Sequence, residues 1–343
     1  MAVGPDSVTP PHPPTMGVMS EIESPPAPPP LSTRVSDLLG VDYPLLQAPM
    51  GFIARAQLAS AVSNAGAFGI VETSSGRLDE VRHEMAAMRE LTDQPWGVNI
   101  AQMLVTDPQI VDFVAAQGVR FVTTSAGNPQ QYTQQLHDAG ITVFHVVPSL
   151  RAAQKAVDAG VDGLVVEGGE GGGFKSTKPV STMVLLPQIT RSFDLPVVAA
   201  GGIVDGVSMA AAFALGAEGV QMGTRMVSAA ESPVHDNYKQ LVTGADATDT
   251  VVLSAHASPA YRVMRTAFSE SLEREPSVVM GRTVGMDGVL RLYFEGDLDA
   301  GFAFGGQGAG RITEVLPVRR IVRETMRDFY DVVTGLQHFA PGL

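Results

Sequence analysis

The chain has 343 residues, 45% of them hydrophobic and 6% aromatic, and a formal net charge of -13. That length can bury one large core or two moderate ones, while the acidity opposes binding to nucleic acid or an anionic membrane, where phosphate contacts need clustered Lys and Arg. The lack of cysteine excludes disulfides, thiolate nucleophiles, cysteine-ligated zinc and iron–sulfur clusters.

Ten of the 24 prolines fall within residues 5–30. Such a segment cannot build helix or sheet ladders, so residues 1–34 are expected to form an extended, disordered leader. It reads as passive in preference to a proline-recognition ligand. It has neither the basic opening nor the apolar core of a secretory signal. No apolar run approaches the roughly 20 residues needed to span a bilayer, and a cytoplasmic location is expected.

From residue 35 two periodicities take turns. Strand-like runs fall at 44–48, 67–71, 96–100, 120–124, 142–146, 162–166, 196–200 and 219–222. Helix-period segments at 55–65, 78–91, 108–116, 129–139, 150–159, 182–191 and 206–215 separate them, several closing on a glycine. The strands read as nearly unbroken apolar runs, the pattern of a parallel sheet covered by helices. Eight strands with such crossovers favour an α/β fold of (β/α)8 TIM-barrel type over 35–243. An open doubly wound sheet is the runner-up, but no Gly-x-Gly-x-x-Gly follows the first strand to support a dinucleotide crevice.

After about residue 240 the rhythm breaks. Residues 244–310 read as an excursion capping the barrel mouth, with short ordered segments at 259–272 and 289–293. Residues 311–343 then carry an amphipathic helix at 313–336 that packs back on the barrel.

In a barrel, function gathers at the C-terminal ends of the strands. The first ends in Gln47-Ala48-Pro49-Met50-Gly51, where proline stiffens the backbone and glycine removes bulk. The third brings Asn99, whose amide can read a heterocycle edge. The fourth ends in Thr123-Thr124-Ser125-Ala126-Gly127, and the fifth carries His145. The sixth opens Glu167-Gly168-Gly169-Glu170-Gly171-Gly172-Gly173-Phe174-Lys175, a loop whose backbone can approach something flat or anionic. Gly201-Gly202 after the seventh and Gly223-Thr224 after the eighth form either a phosphate cradle of backbone N–H groups or ordinary strand-to-helix turns.

Together these stretches resemble a known family. Gln47-Ala48-Pro49-Met50, 61–66, Val98-Asn99-Ile100, 170–173, 199–203, 221–225 and the glycine-rich 305–310 look like the nitronate monooxygenase family, also called 2-nitropropane dioxygenases. The resemblance implies a TIM barrel holding FMN non-covalently, with flavin-dependent enoyl reductases and NAD(P)H:quinone reductases among its relatives. It places Pro49, Met50 and Gly51 along the flavin ring, and Asn99 and Glu167 at its polar edge. Gly172 and Gly173 come near the ribityl chain or phosphate, and Gly201, Gly202, Gly223 and Thr224 hold the phosphate. Gln221 and Met222 line the floor.

Two departures stand out. An amide commonly occupies the position of Glu167, and a carboxylate there would repel charge building on a reduced ring. In nitronate-oxidising members the glycine run ends in a histidine base, where this chain has Phe174, which cannot move a proton. His145, Lys175 and His256 are the candidates to replace it. Each also has a plainer reading, as an orienting strand residue, a solvated loop lysine and a surface histidine; His235 reads as surface.

The leading expectation is an FMN-dependent oxidoreductase that oxidises a small molecule such as an alkyl nitronate with O2. A nitronate is already anionic and needs no base. The alternative is an NAD(P)H-dependent reductase or dehydrogenase for an enone, acyl thioester or quinone. A third reading is a flavin-binding protein without turnover. No metal is expected, and the oligomeric state is left open, a homodimer included.

Overall fold

The computed structural model describes residues 26–74, 77–275 and 283–339, so most of the proline-rich leader lies outside the described residues. In chain order the strands are β1 (Leu45–Gln47), β2 (Gly69–Glu72), β3 (Trp96–Ala101), β4 (Phe121–Ser125), β5 (Thr142–Val147), β6 (Gly163–Glu167), β7 (Gly173–Lys175), β8 (Val197–Ala200), β9 (Gly219–Met222), β10 (Thr250–Leu253) and β11 (Ala260–Met264). All but β7, β10 and β11 form one parallel sheet in the order β1-β9-β8-β6-β5-β4-β3-β2. Its two ends meet: Phe68 N–H donates to the Leu45 carbonyl (2.8 Å) and Gln47 N–H to the Phe68 carbonyl (3.0 Å). The expected (β/α)8 barrel is therefore present and closed.

The apolar runs follow from burial on both faces. One set of strand side chains, including Leu46, Phe68, Ile70, Phe121, Phe144, Val165 and Val198, fills the barrel interior. Phe68 and Phe121 meet edge to face at 5.2 Å, as do Phe121 and Phe144 at 5.1 Å. Gly163 makes room for them, since a Cβ there would land on the Phe144 ring. The alternate set, including Leu45, Val98, Val122, Val143, Leu164, Val220 and Met222, packs under the helical layer. The helix Arg34–Leu39, capped by Thr33 with Ser36, adds Val35 and Leu39 to the interior core beside the start of β9.

The end of the leader is tied to this framework. Tyr43 donates to the Pro28 carbonyl at 2.7 Å, Tyr330 to that of Pro29 at 3.0 Å, and Leu31 N–H to Asp42 at 2.9 Å.

The helix Val318–Leu336 packs between Gly206–Ala214 and Ala56–Asn64, which makes it the eighth helix of the ring. It begins five residues later than the periodicity predicts, because Pro317 holds an extended backbone at φ -59°, ψ 142°. Gly206 lets the two helices touch, since a Cβ there would strike the backbone of Thr325 and Phe329.

The segment 244–310 is thus inserted between the eighth strand and the eighth helix. Its hairpin, β10 with β11, is antiparallel, and β7 from the glycine loop joins as a third strand. Strand β10 falls outside the segments expected to be ordered. The apolar cluster of Val251, Leu253, Tyr261, Val263 and Phe302 includes Phe174 from that loop among its partly buried members.

Gly69 tests the close strand-to-helix packing, because a Cβ there would fall on the Ala59 carbonyl. Gly69→Ala is expected to cost about 1–3 kcal/mol, the usual penalty for overpacking, read as a lower urea midpoint with an unchanged slope.

Candidate functional site

A cavity of about 820 Å3 opens at the C-terminal ends of the strands, inside the range of roughly 300–1,000 Å3 typical of small-molecule sites. It gathers residues that lie far apart in the chain: Pro49, Met50 and Gly51 after β1; His145 on β5; Glu167, Gly172, Gly173, Phe174 and Lys175 around the glycine loop; Gly201 and Gly202 after β8; and Gln221, Gly223 and Thr224 around β9.

Three of the expected residues do not line it. Met222 is fully buried among the helix-facing residues. Successive strand residues point to opposite faces, so Gln221 and Met222 cannot both form one floor. Asn99 is buried, its amide donates to the Thr123 carbonyl (3.1 Å) and hydroxyl (2.9 Å), and it is not among the residues lining the cavity. His256 is exposed, and Ser258 and Pro259 are the cavity residues of its turn.

The glycine loop is held from several sides. Gly168 N–H donates to the Ala200 carbonyl at 2.9 Å, and Arg262 Nε donates to the Gly169 carbonyl at 2.9 Å. Glu170 accepts from the Thr182 backbone at 3.0 Å and from its hydroxyl at 3.0 Å, so this carboxylate caps the helix Thr182–Thr190. Gly305 lies so close to Gly172 that a Cβ at Gly172 would collide with the Gly305 backbone. Gly306 N–H donates to Thr224 Oγ1 at 2.9 Å, and Gln307 N–H to the Glu170 carbonyl at 2.9 Å. Both glycines after β8 sit in the left-handed region, Gly201 at φ 90° and Gly202 at φ 77°, which favours glycine.

Glu167 and Lys175 form an ion pair. The Lys175 side chain is only 5% exposed, so it is not the solvated loop lysine of the plainer expectation. The Glu167 carboxylate expected to stand alone is therefore paired with a cation. Phe174 turns to the other side of β7, where it packs against Tyr261 at 5.7 Å and Phe304 at 6.2 Å. Phe174 is therefore part of the contact between the glycine loop and the inserted segment.

His145 shares a 2.7 Å hydrogen bond with Thr124. Burial pulls its pKa down to about 4, which keeps the imidazole neutral at pH 7. Gln221 Oε1 is buried without a hydrogen-bond partner among the described residues, an acceptor left for a ligand on the cavity wall. Ala126 (φ 51°) and Phe52 (φ 62°), both on the wall, take the left-handed backbone that costs about 1–3 kcal/mol outside glycine.

Several lining residues were not singled out from sequence. Tyr293, buried and stacked on Tyr238 at 5.6 Å, comes from the excursion, and burial pushes its phenol pKa upward. Arg151 and Lys155 come from the helix Leu150–Asp158, where a helical period marks an exposed face but does not say what it overlooks.

Comparison with known proteins agrees with this geometry. The family model described as nitronate monooxygenase matches residues 32–104 and 101–328. A (3aS,4S,5R,7aS)-5-hydroxy-7a-methyl-1-oxo-octahydro-1H-indene-4-carboxyl-CoA dehydrogenase of Mycobacterium tuberculosis is 37% identical over 246 residues, which is 71% of this chain and 69% of that protein. A probable nitronate monooxygenase of Staphylococcus saprophyticus is 32% identical over 267 residues, 65% of this chain and 75% of that one. Among solved structures, FabK from Thermotoga maritima superposes with a TM-score of 0.85 at 39% identity, covering 90% of this chain and 99% of that chain. The chain therefore belongs to the nitronate monooxygenase family, a family of flavin-dependent oxidoreductases with a TIM-barrel fold.

Proposed function

We propose that the protein binds FMN and acts as a reductase or dehydrogenase, moving hydride between a nicotinamide and an activated carbonyl compound such as an enone, acyl thioester or quinone. The observation that carries this reading is Phe174. It stands where the family's base is expected and is built into the aromatic contact with Tyr261 and Phe304. A site with an apolar ring and a neutralised ion pair on its glycine loop suits transfer by alignment more than proton abstraction.

The residues present fit the cofactor. Gln221 Oε1 supplies an unpartnered buried acceptor for a ring N–H. Pro49, Met50 and Gly51 supply a wall, and Gly201, Gly202, Gly223 and Thr224 would hold the phosphate, with Gly172 and Gly173 alongside. Bound there, FMN would supply reversible two-electron chemistry. The Glu167–Lys175 pair keeps the nearby protein surface neutral, and His145, being uncharged, orients rather than attracts an anion. We assign 244–310 as the cap that excludes water through Phe304 and Tyr293, and 35–243 with the final helix as the cofactor-binding barrel.

Oxidation of an alkyl nitronate with O2 is the second reading. It is favoured by the relatives named for that activity and by the fact that a nitronate arrives without a proton to remove. The Mycobacterium tuberculosis protein named as a carboxyl-CoA dehydrogenase, at 37% identity, supports the first. Anaerobic mixing of the purified protein separates them. Bleaching of the flavin by NADH or NADPH is expected; bleaching by a nitronate alone would replace the first reading with the second. Bleaching by neither would mean binding without turnover, and a colourless protein that takes up no FMN would end the flavin assignment.

The ion pair can be tested on its own. Lys175→Met leaves Glu167 half-buried and unpaired, so it is expected to cost about 1–3 kcal/mol in urea unfolding. Adding Glu167→Gln should recover much of that loss, and strictly additive effects in the double-mutant cycle would show that the pair is not coupled.

A further inference from the structure

We propose that Arg151 and Lys155 dock the phosphate groups of a coenzyme A thioester whose acyl end reaches the cavity floor. This rests on reading the cavity as a redox site for an activated carbonyl, and it names the substrate class. Both residues line that cavity. They are four apart in the helix Leu150–Asp158, so they lie on one face about 5–6 Å apart at Cβ. Both are exposed, and among the described residues neither makes a side-chain hydrogen bond or ion pair. In a chain with 36 acidic and 23 basic residues, two neighbouring cations without carboxylate partners at a cavity rim form a local positive site. Lys175, the other lysine of the cavity wall, is neutralised by Glu167.

The apolar part of the lining fits the same ligand. It includes Met103, Leu104, Pro129 and Pro148, with Met103 half exposed although apolar. Gly127, also on the lining, leaves room for the Gln102 side chain behind it. A long, partly apolar arm, anionic at one end and reactive at the other, suits a cavity lined by both free cations and apolar side chains. Coenzyme A carries such an arm between its phosphorylated nucleotide and its thioester. A nicotinamide dinucleotide phosphate carries a similar phosphorylated adenosine diphosphate, with its extra phosphate on the ribose 2′ rather than 3′ oxygen, but lacks the arm.

The test compares the wild-type protein, as purified with its flavin, with Arg151→Glu/Lys155→Glu. Free coenzyme A, pantetheine and NADPH are titrated into each by isothermal titration calorimetry at two salt concentrations. Coenzyme A is expected to bind the wild type, to weaken at least tenfold in the variant, and to weaken as salt rises. Pantetheine, which lacks the phosphates of the nucleotide, is expected to bind both proteins equally. The milder Arg151→Gln/Lys155→Gln should fall between them, with flavin absorbance unchanged throughout. Equal coenzyme A affinity in all variants, or no binding by the wild type, would overturn the assignment, as would a loss confined to NADPH. A flavin-free protein that still bound coenzyme A in this charge-dependent way would refute the redox reading and leave the docking site standing.

Discussion

Three residues of the glycine loop, Gly173 to Lys175, pair backbone to backbone with Ala260 to Arg262 of the excursion. A strand presents successive side chains to opposite sides, so this short ladder decides where Phe174 and Lys175 go. Phe174 enters the aromatic cluster of the inserted segment, and Lys175 meets Glu167 at the end of β6. A flexible glycine loop at a barrel mouth would leave both side chains averaged over many positions. Pairing with β11 fixes them, and Arg262 adds a hydrogen bond to the Gly169 carbonyl from the same strand. The shape of the site is therefore a joint product of the barrel and the segment inserted before its last helix.

Much of the barrel is legible in the sequence because its signal is local. Apolar runs bounded by glycine turns mark the eight strands, and the helices between them carry their own period and caps. The strand ends then name Pro49, Gly201, Gly202, Gln221, Gly223 and Thr224 without further information. Parity was available too: Gln221 and Met222 are adjacent on one strand, so their side chains had to part.

Other features depend on partners distant in sequence. Glu167 looks anomalous until Lys175 is seen beside it, eight residues on, across a loop whose path no periodicity records. Asn99 is in the right place along its strand, but Thr123 on the neighbouring strand already takes its amide. Strand β10 has little identity alone and becomes a strand through β11. Pro317 shortens the last helix by a rule the sequence does state, that proline resists a preceding helical residue.

The eighth helix bears on how the molecule is made. Some ninety residues separate the end of β9 from Val318, the first residue of the helix that completes the ring. A chain leaving the ribosome therefore finishes all eight barrel strands, and then the inserted segment, before this helix can cover the seam between the first and seventh helices. Until then the apolar faces around Gly206 and Ala56–Asn64 stay open to water. Pairing of the glycine loop with the cap needs none of that late segment. The chemistry of the mouth can thus take shape while the wall of the barrel is still unsealed.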